Sequence, residues 1–149
     1  MISIKNTQKK IKINEKKIRG YVKQILEIYQ YQDFDIGIWF TTNQTIKKFN
    51  KIYRKKDKST DILSFSFHDK IKAGEKIKPK SEDDKNLGDL IISAEFAQKD
   101  AKKGNRTLNE HLKILIVHGI CHLLGYNHET ENDYKKMRIK ELSILKKIS

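Results

Sequence analysis

Between Leu112 and Leu124 the chain is apolar on most sides of any helix drawn through it, and two histidines interrupt that run four residues apart. A helix with no polar face has to be central and buried, so the rest of the chain must wrap it. Its start is marked by Thr107-Leu108-Asn109-Glu110, the pattern in which a threonine hydroxyl takes one free backbone N–H and a glutamate reaches back to another. Gly125 ends it, because glycine takes left-handed dihedrals cheaply and lets the chain double back. With 149 residues, there is enough chain to build one domain around such a helix without a disulfide. The single cysteine rules out an internal disulfide framework in any case.

The flanking segments predict mixed strands and helices. Ile2 and Ile4 alternate, as Ile11 and Ile13 do again, so a short strand near the start is expected. Asn14 can cap a helix whose apolar stripe is Ile18, Tyr21, Val22, Ile25, Ile28 and Tyr29. Ile36 to Phe40 reads as a strand. Asn43 can cap a second helix with Ile46, Phe49, Ile52 and Tyr53 turned inward. Asp61 to Phe67 and Leu87 to Ile92 read as strands, with the polar segment His68 to Asn86 between them as an exposed, mobile loop or hairpin tip. A helix from Ser93 to Lys103 stops at Gly104, and Thr130 to Ile148 forms a last amphipathic helix carrying Met137, Leu142 and Leu145. The expected fold class is α+β: one compact domain over residues 1–149, with about four strands in a mixed sheet packed against about five helices.

Charge and hydropathy narrow the setting. The longest uncharged stretch, Ile114 to His128, is too short and too rich in histidine to span a bilayer, and the first residues lack the apolar run of a signal peptide. A cytoplasmic protein with no membrane partner is the expectation. The net charge of +13 favours an anionic partner. Of the 32 basic residues 28 are lysine, and isoleucine occurs 22 times. That is also the drift of an AT-rich genome, so the charge alone gives only weak support for nucleic-acid binding.

The chemistry is concentrated in His118-Gly119-Ile120-Cys121-His122-Leu123-Leu124-Gly125-Tyr126-Asn127-His128. His118 and His122 lie one helical turn apart on one face, so both imidazoles can reach one ion. After Gly125 the chain returns with His128. Three neutral imidazoles with an open fourth position are the ligand set of a catalytic zinc site, and one Zn2+ per chain is expected. The spacing equals that of the metzincin peptidases, H-E-x-x-H-x-x-G-x-x-H, which predicts a metzincin-like core. Gly119 stands where a peptidase would carry its general-base glutamate, which argues against a zinc metallopeptidase. A single histidine on an apolar helix is usually a satisfied core residue, but three of five falling into this pattern is not. His68 and His111 are expected to face solvent, and Cys121 to be a small core residue. Asn127 either orients the last ligand or is a plain loop residue.

This run resembles the signature of the YbeY endoribonucleases, H-G-x-L-H-L-x-G-Y-D-H. Two further stretches agree with that family. Residues Asn50 to Phe65, NKIYRKKDKSTDILSF, are similar to its N-x-x-Y-R-x-K-D-x-x-T-D-V-L-S-F block, and Leu87-Gly88-Asp89-Leu90-Ile91-Ile92-Ser93 to its L-G-D-I-x-I-S strand. Asn127 stands for the family's usual aspartate and Cys121 for its leucine. The resemblance implies a metal-dependent endoribonuclease acting on single-stranded RNA. It implies a role in rRNA maturation, notably at the small-subunit rRNA 3′ end, and in ribosome quality control, with ribosome-associated proteins as further partners and no DNA substrate. It also implies that Arg54 lies near the active site.

Physical chemistry supplies roles beside that resemblance. A guanidinium at Arg54 grips phosphate in a bidentate way that lysine cannot match and suits a charge developing on phosphorus-bound oxygen. Lys55, Lys56 and Lys58 either hold flanking phosphates or form a solvated charge run. Asp57, Thr60 and Asp61 are expected to fix the loop and the strand start. Glu95 and Glu129 are conceivable proton carriers. The nucleophile is either water activated at the metal or the RNA 2′-hydroxyl. A zinc-stabilised RNA- or ribosome-binding factor with little catalysis is the alternative reading.

Overall fold

A computed structural model describes residues 1–149. Four strands, β1 (Ile2–Asn6), β2 (Asp35–Thr41), β3 (Ile62–Ser66) and β4 (Asn86–Ser93), form one sheet in the order β1-β2-β4-β3. β1 runs parallel to β2 and β2 to β4, while β3 pairs antiparallel with β4 at the edge. Five helices surround the sheet: α1 (Glu15–Tyr29), α2 (Asn43–Arg54), α3 (Ala94–Lys103), α4 (Leu108–Leu123) and α5 (Glu131–Lys147). The mixed α+β architecture is the one expected.

The helix with no polar face is at the centre. α4 touches α1, α3, α5, β3 and β4, and Leu112, Ile116 and Ile120 are wholly buried beneath Ile36, Ile38 and Phe40 of β2, Leu90 and Ile92 of β4, and Ile18 and Ile25 of α1. Burying each such side chain fully is worth about 1.5–3 kcal/mol, which is why this helix organises the domain. The Thr107 hydroxyl accepts the Glu110 N–H at 3.1 Å, so the threonine half of the capping pattern is realised.

One glycine sets how close this helix approaches the sheet. A Cβ placed on Gly119 would lie 2.8 Å from Ile62 Cδ1 and from Leu90 Cδ2. Any side chain at this position would have to displace those methyl groups where α4 meets β3 and β4.

Several expectations are corrected. α2 is capped by Thr42, whose hydroxyl accepts the Thr45 N–H, and Asn43 is its first residue. Only Ile46 and Asn50 of α2 are buried. Ile52 and Tyr53 are 69% and 56% exposed, because the helix rests on the sheet along a strip that reaches Leu63 and Ile91 but not its far flank. Ile11 and Ile13 form no strand; a turn closed by the Gln8 side chain on Ile11 takes their place. The segment from His68 to Lys85 is exposed over most of its length but tied down. Ile77 is buried in the main core, its N–H held by the Tyr31 hydroxyl at 3.0 Å, and Glu82–Asp84 form a short 3-10 turn. His111 is buried, not solvent-facing: it lies in the first half of α4, and the Arg106 guanidinium comes within 3.2 Å of its Nδ1. Burial and that cation hold its pKa below the usual histidine value. His68 is half-buried, bonded to the Asp84 carbonyl. On α5 the inward stripe is Met137, Glu141 and Ile144, and Leu142 is exposed. No helix is long and apolar enough to cross a membrane.

Candidate active site

The last turn of α4 delivers two imidazoles and then reverses. His118 and His122 project from one face, their Nε2 atoms 3.1 Å apart. The Gly125 N–H closes on the His122 carbonyl and the Tyr126 N–H on the Cys121 carbonyl. That turn requires φ +95° at Gly125, and a Cβ there would collide with the Ile71 carbonyl oxygen of the loop packed against it. The reversal brings His128 back, its ring 5.2 Å from that of His122 and 6.2 Å from that of His118 between centroids. One ligand nitrogen from each of the three lies within 4.8 Å of the others.

The outer nitrogens decide which lone pairs face inward. His118 Nδ1 lies 2.7 Å from the Glu141 carboxylate, reaching across from α5. His122 Nδ1 lies 2.9 Å from the Tyr126 carbonyl, which can only accept, so Nδ1 carries the proton and Nε2 is bare. Burial first, and then the neighbouring His118, push the His122 pKa down to about 4, so this ring is neutral at neutral pH, the form that ligates a metal. The bare His122 Nε2 can take either a proton from His118 Nε2, 3.1 Å away, or a cation placed between the two rings. A tetrahedral zinc ion with bonds of about 2.0–2.1 Å sets its ligand nitrogens about 3.3 Å apart, close to the His118–His122 separation, and the His128 nitrogen lies within 4.8 Å of both. The residues present could therefore hold a metal ion.

Glu141 went unrecognised in the sequence. Its one signal is that an acid occupies the inward stripe of α5, flanked by Met137 and Ile144 at helical spacing. A buried carboxylate among apolar neighbours needs a partner, and His118 is that partner.

The triad opens into a cleft of about 790 Å³ whose lining includes Arg54, Lys56, Lys58, Asp69, Tyr126 and Glu129. Arg54 donates from Nη2 to the Ser64 carbonyl of β3 at 2.8 Å, and its guanidinium lies 5.2 Å above the Phe65 ring. Arg54 and the histidines, 64 residues or more apart in sequence, thus share one cleft. Buried Asn50 fastens the basic loop by donating to the Lys58 carbonyl at 2.9 Å. Lys55 is not on the lining; it closes α2 in the left-handed conformation at φ 58°. Asp61 caps the start of β3 by accepting the Ile62 N–H. Asp57 forms only a long surface ion pair, with Lys47 at 3.9 Å. Glu95 lies outside the cleft, accepting the Asn43 N–H at 2.6 Å. The Asn127 side chain accepts the Glu129 N–H at 3.1 Å and so bridges the backbone on either side of His128. Cys121 is fully buried, and desolvation pushes its thiol up to about 12.

The glutamate that a peptidase would need is absent, and Gly119 stands in its place. A side chain at position 119 would press on the Ile62 and Leu90 methyl groups, and Gly119 itself has no group that could take a proton.

Known proteins show the same assignment. The family described as endoribonuclease YbeY matches residues 3–149. Among curated relatives, the human endoribonuclease YbeY is 39% identical over 142 residues, covering 95% of this chain and 84% of that one. The Aquifex aeolicus endoribonuclease YbeY is also 39% identical over 142 residues, covering 95% of this chain and 88% of that one. A solution structure from Thermotoga maritima shares the fold, with a TM-score of 0.57 at 21% identity over 98% of this chain and 90% of that one. Two histidines on a buried helix and a third on the loop that follows it, an arginine across the cleft and a match spanning nearly the whole sequence place this chain in the YbeY endoribonuclease family.

Proposed function

We propose that the chain, acting as one domain over residues 1–149, is a metal-dependent endoribonuclease that cleaves single-stranded RNA in the cleft between α4 and the β3 edge. The observation that carries this reading is the convergence of three imidazoles with Arg54, Lys56 and Lys58 on one solvent-open cleft. His118, His122 and His128 hold the ion, and zinc fits the all-nitrogen set best. Once bound, such an ion polarises a phosphoryl oxygen and acidifies water.

The chain's own residues supply the rest. Arg54 is anchored through one nitrogen to the Ser64 carbonyl, leaving other N–H groups to grip the scissile phosphate. Lys56 and Lys58 hold the phosphates on either side. Glu141 keeps His118 in the tautomer that presents Nε2 to the ion, and the Tyr126 carbonyl does the same for His122. Of the two acids considered as proton carriers, Glu129 lines the cleft. By the resemblance of its motif blocks, the natural substrate is rRNA at the small-subunit 3′ end, met in the cytoplasm with ribosome-associated proteins.

The test is a time course of single-stranded RNA cleavage by zinc-loaded protein, with His122→Ala and Arg54→Ala purified identically and zinc content measured on each. Cleavage by the wild type alone supports the proposal, with zinc lost from His122→Ala and kept by Arg54→Ala. Equal cleavage by all three proteins overturns it.

A further inference from the structure

The outer face of the sheet carries a second cavity that the chemistry above does not use. α2 covers this face over β3 and β4, where Ile46, Leu63 and Ile91 close into a small core. Beside that core lies an open groove of about 470 Å³, and its walls are aromatic. The Trp39 ring meets Phe49 edge-on at 5.4 Å, Phe49 stacks on Tyr53 at 5.9 Å, and Tyr53 meets Phe65 edge-on at 5.3 Å. The row then passes to the Arg54 guanidinium above Phe65, which belongs to the histidine cleft as well. At its other end the Lys5 ammonium lies 5.0 Å from the Trp39 ring.

Trp39, Phe49 and Phe65 pack on that small core from one side and, with exposed Tyr53, leave a linked row of aromatic rings open to solvent, a surface suited to binding. The charge at its ends narrows the occupant. An apolar peptide would need no cation at either end. A single nucleic-acid strand needs both parts, flat apolar faces for its bases and cations for its phosphates, and aromatic residues alternating with basic ones are how proteins bind such strands without reading sequence. Asp89 is the only carboxylate on the lining. It lies on the floor beside Gly37 and opposite Phe65 in the strand register, where it can accept from a base amino group. The Trp39 indole is fixed by its N–H to the Thr7 hydroxyl at 2.8 Å, so the ring is held in place before any base arrives. Lys5 is exposed and can swing from the ring to a phosphate.

We propose that this groove is a second subsite for the same RNA strand. Nucleotides flanking the cleaved bond leave the histidine cleft over Arg54 and stack along Phe65, Tyr53 and Trp39, and Lys5 meets a phosphate at the far end. The proposal rests on the reading that the cleft takes single-stranded RNA, and it adds where the strand goes next.

Trp39 is the only tryptophan in the chain, so its emission reports on this groove alone. The experiment titrates the full-length protein with unlabelled oligouridylate of about ten nucleotides, the length scale of single-strand sites. Saturable quenching of Trp39 is expected. Tyr53→Leu, which keeps apolar bulk but removes the ring at an exposed position, should weaken binding about five- to tenfold, and Tyr53→Phe should bind as the wild type does. An RNA duplex, whose bases have no free faces, should quench far less. An unquenched Trp39 at RNA concentrations that the same protein cleaves overturns the groove and leaves the cleft intact. Equal binding by Tyr53→Leu and Tyr53→Phe, or quenching by duplex as strong as by single strand, overturns it as well. Quenching without any cleavage upholds the groove and removes the catalytic reading instead.

Discussion

The two halves of the histidine triad are built by different means. His118 and His122 stand on a helix whose opposite side is the core of the protein, and each has its outer nitrogen engaged, one by Glu141 and one by the Tyr126 carbonyl. His128 is exposed, stands four residues past α4's cap at Leu124, and has no hydrogen-bond partner for its ring; only the Asn127 side chain bridges the backbone around it. The helix half is positioned before any ion arrives, whereas the loop half is brought into reach by one turn at Gly125. A site divided in this way can bind its ion on a fixed pair and close on it with the third ligand.

The strongest way to break that comparison is to remove one ligand from each half. His122→Ala should lower zinc affinity by more than about a hundredfold, beyond the 10–100-fold typical of losing a partner one bond further out. RNA cleavage should fall to background with it. His128→Ala should cost less in affinity, since water can take an exposed coordination position, yet still abolish most turnover. Competition against a chelator of known affinity measures both variants. Equal affinity losses would mean that the loop histidine is as preorganised as the helical pair.

Glu141→Gln sharpens the helix half. The amide keeps the volume but cannot hold the His118 proton as a carboxylate does, so zinc affinity should drop about 10–100-fold with the melting temperature little changed. Affinity unchanged from wild type would reduce Glu141 to a packing residue. Gly125→Ala probes the loop half. The new methyl is forced into φ +95° and against the Ile71 carbonyl, and strain of this kind costs about 1–3 kcal/mol. Urea denaturation of the metal-free protein reads that cost directly. If stability holds while zinc affinity falls, the turn matters for the ion alone and not for the fold.

The same division explains what could be read from the sequence. α4 and its two histidines were legible because period and spacing are local: an apolar run of that length is a buried helix, and four residues bring two rings onto one face. Gly125 and the return of His128 were legible for the same reason. Glu141 was not, because its partner lies 23 residues away on another helix and only packing brings the two together. α2 shows the complementary error. Ile46, Phe49, Ile52 and Tyr53 have the period of an inward stripe, but period alone does not say how wide a strip the sheet covers; Ile52 is left exposed, and Tyr53 reaches only Phe65 at the β3 edge and stays 56% exposed. His111 departs from expectation because a polar residue near a helix start points to solvent, whereas the helix around it is buried on nearly every side.

The smallest expected effect comes from restoring the carboxylate that resembling sequences carry before the last histidine. Asn127 uses only its side-chain oxygen, as the acceptor for the Glu129 N–H. Aspartate offers the same acceptor at the same place, so the turn should persist in Asn127→Asp and stability should change by less than about 0.5 kcal/mol. The added negative charge lies one residue from a zinc ligand and should raise affinity for a divalent ion severalfold, an effect that weakens as salt is raised. Steady-state RNA cleavage decides what the residue does. A change of threefold or less means that position 127 shapes the loop half of the triad and takes no part in the chemistry. An increase approaching a hundredfold would mean that a carboxylate there moves a proton. The loop half would then carry catalysis as well as coordination, and the contrast with the helix half would be one of chemical role rather than of rigidity.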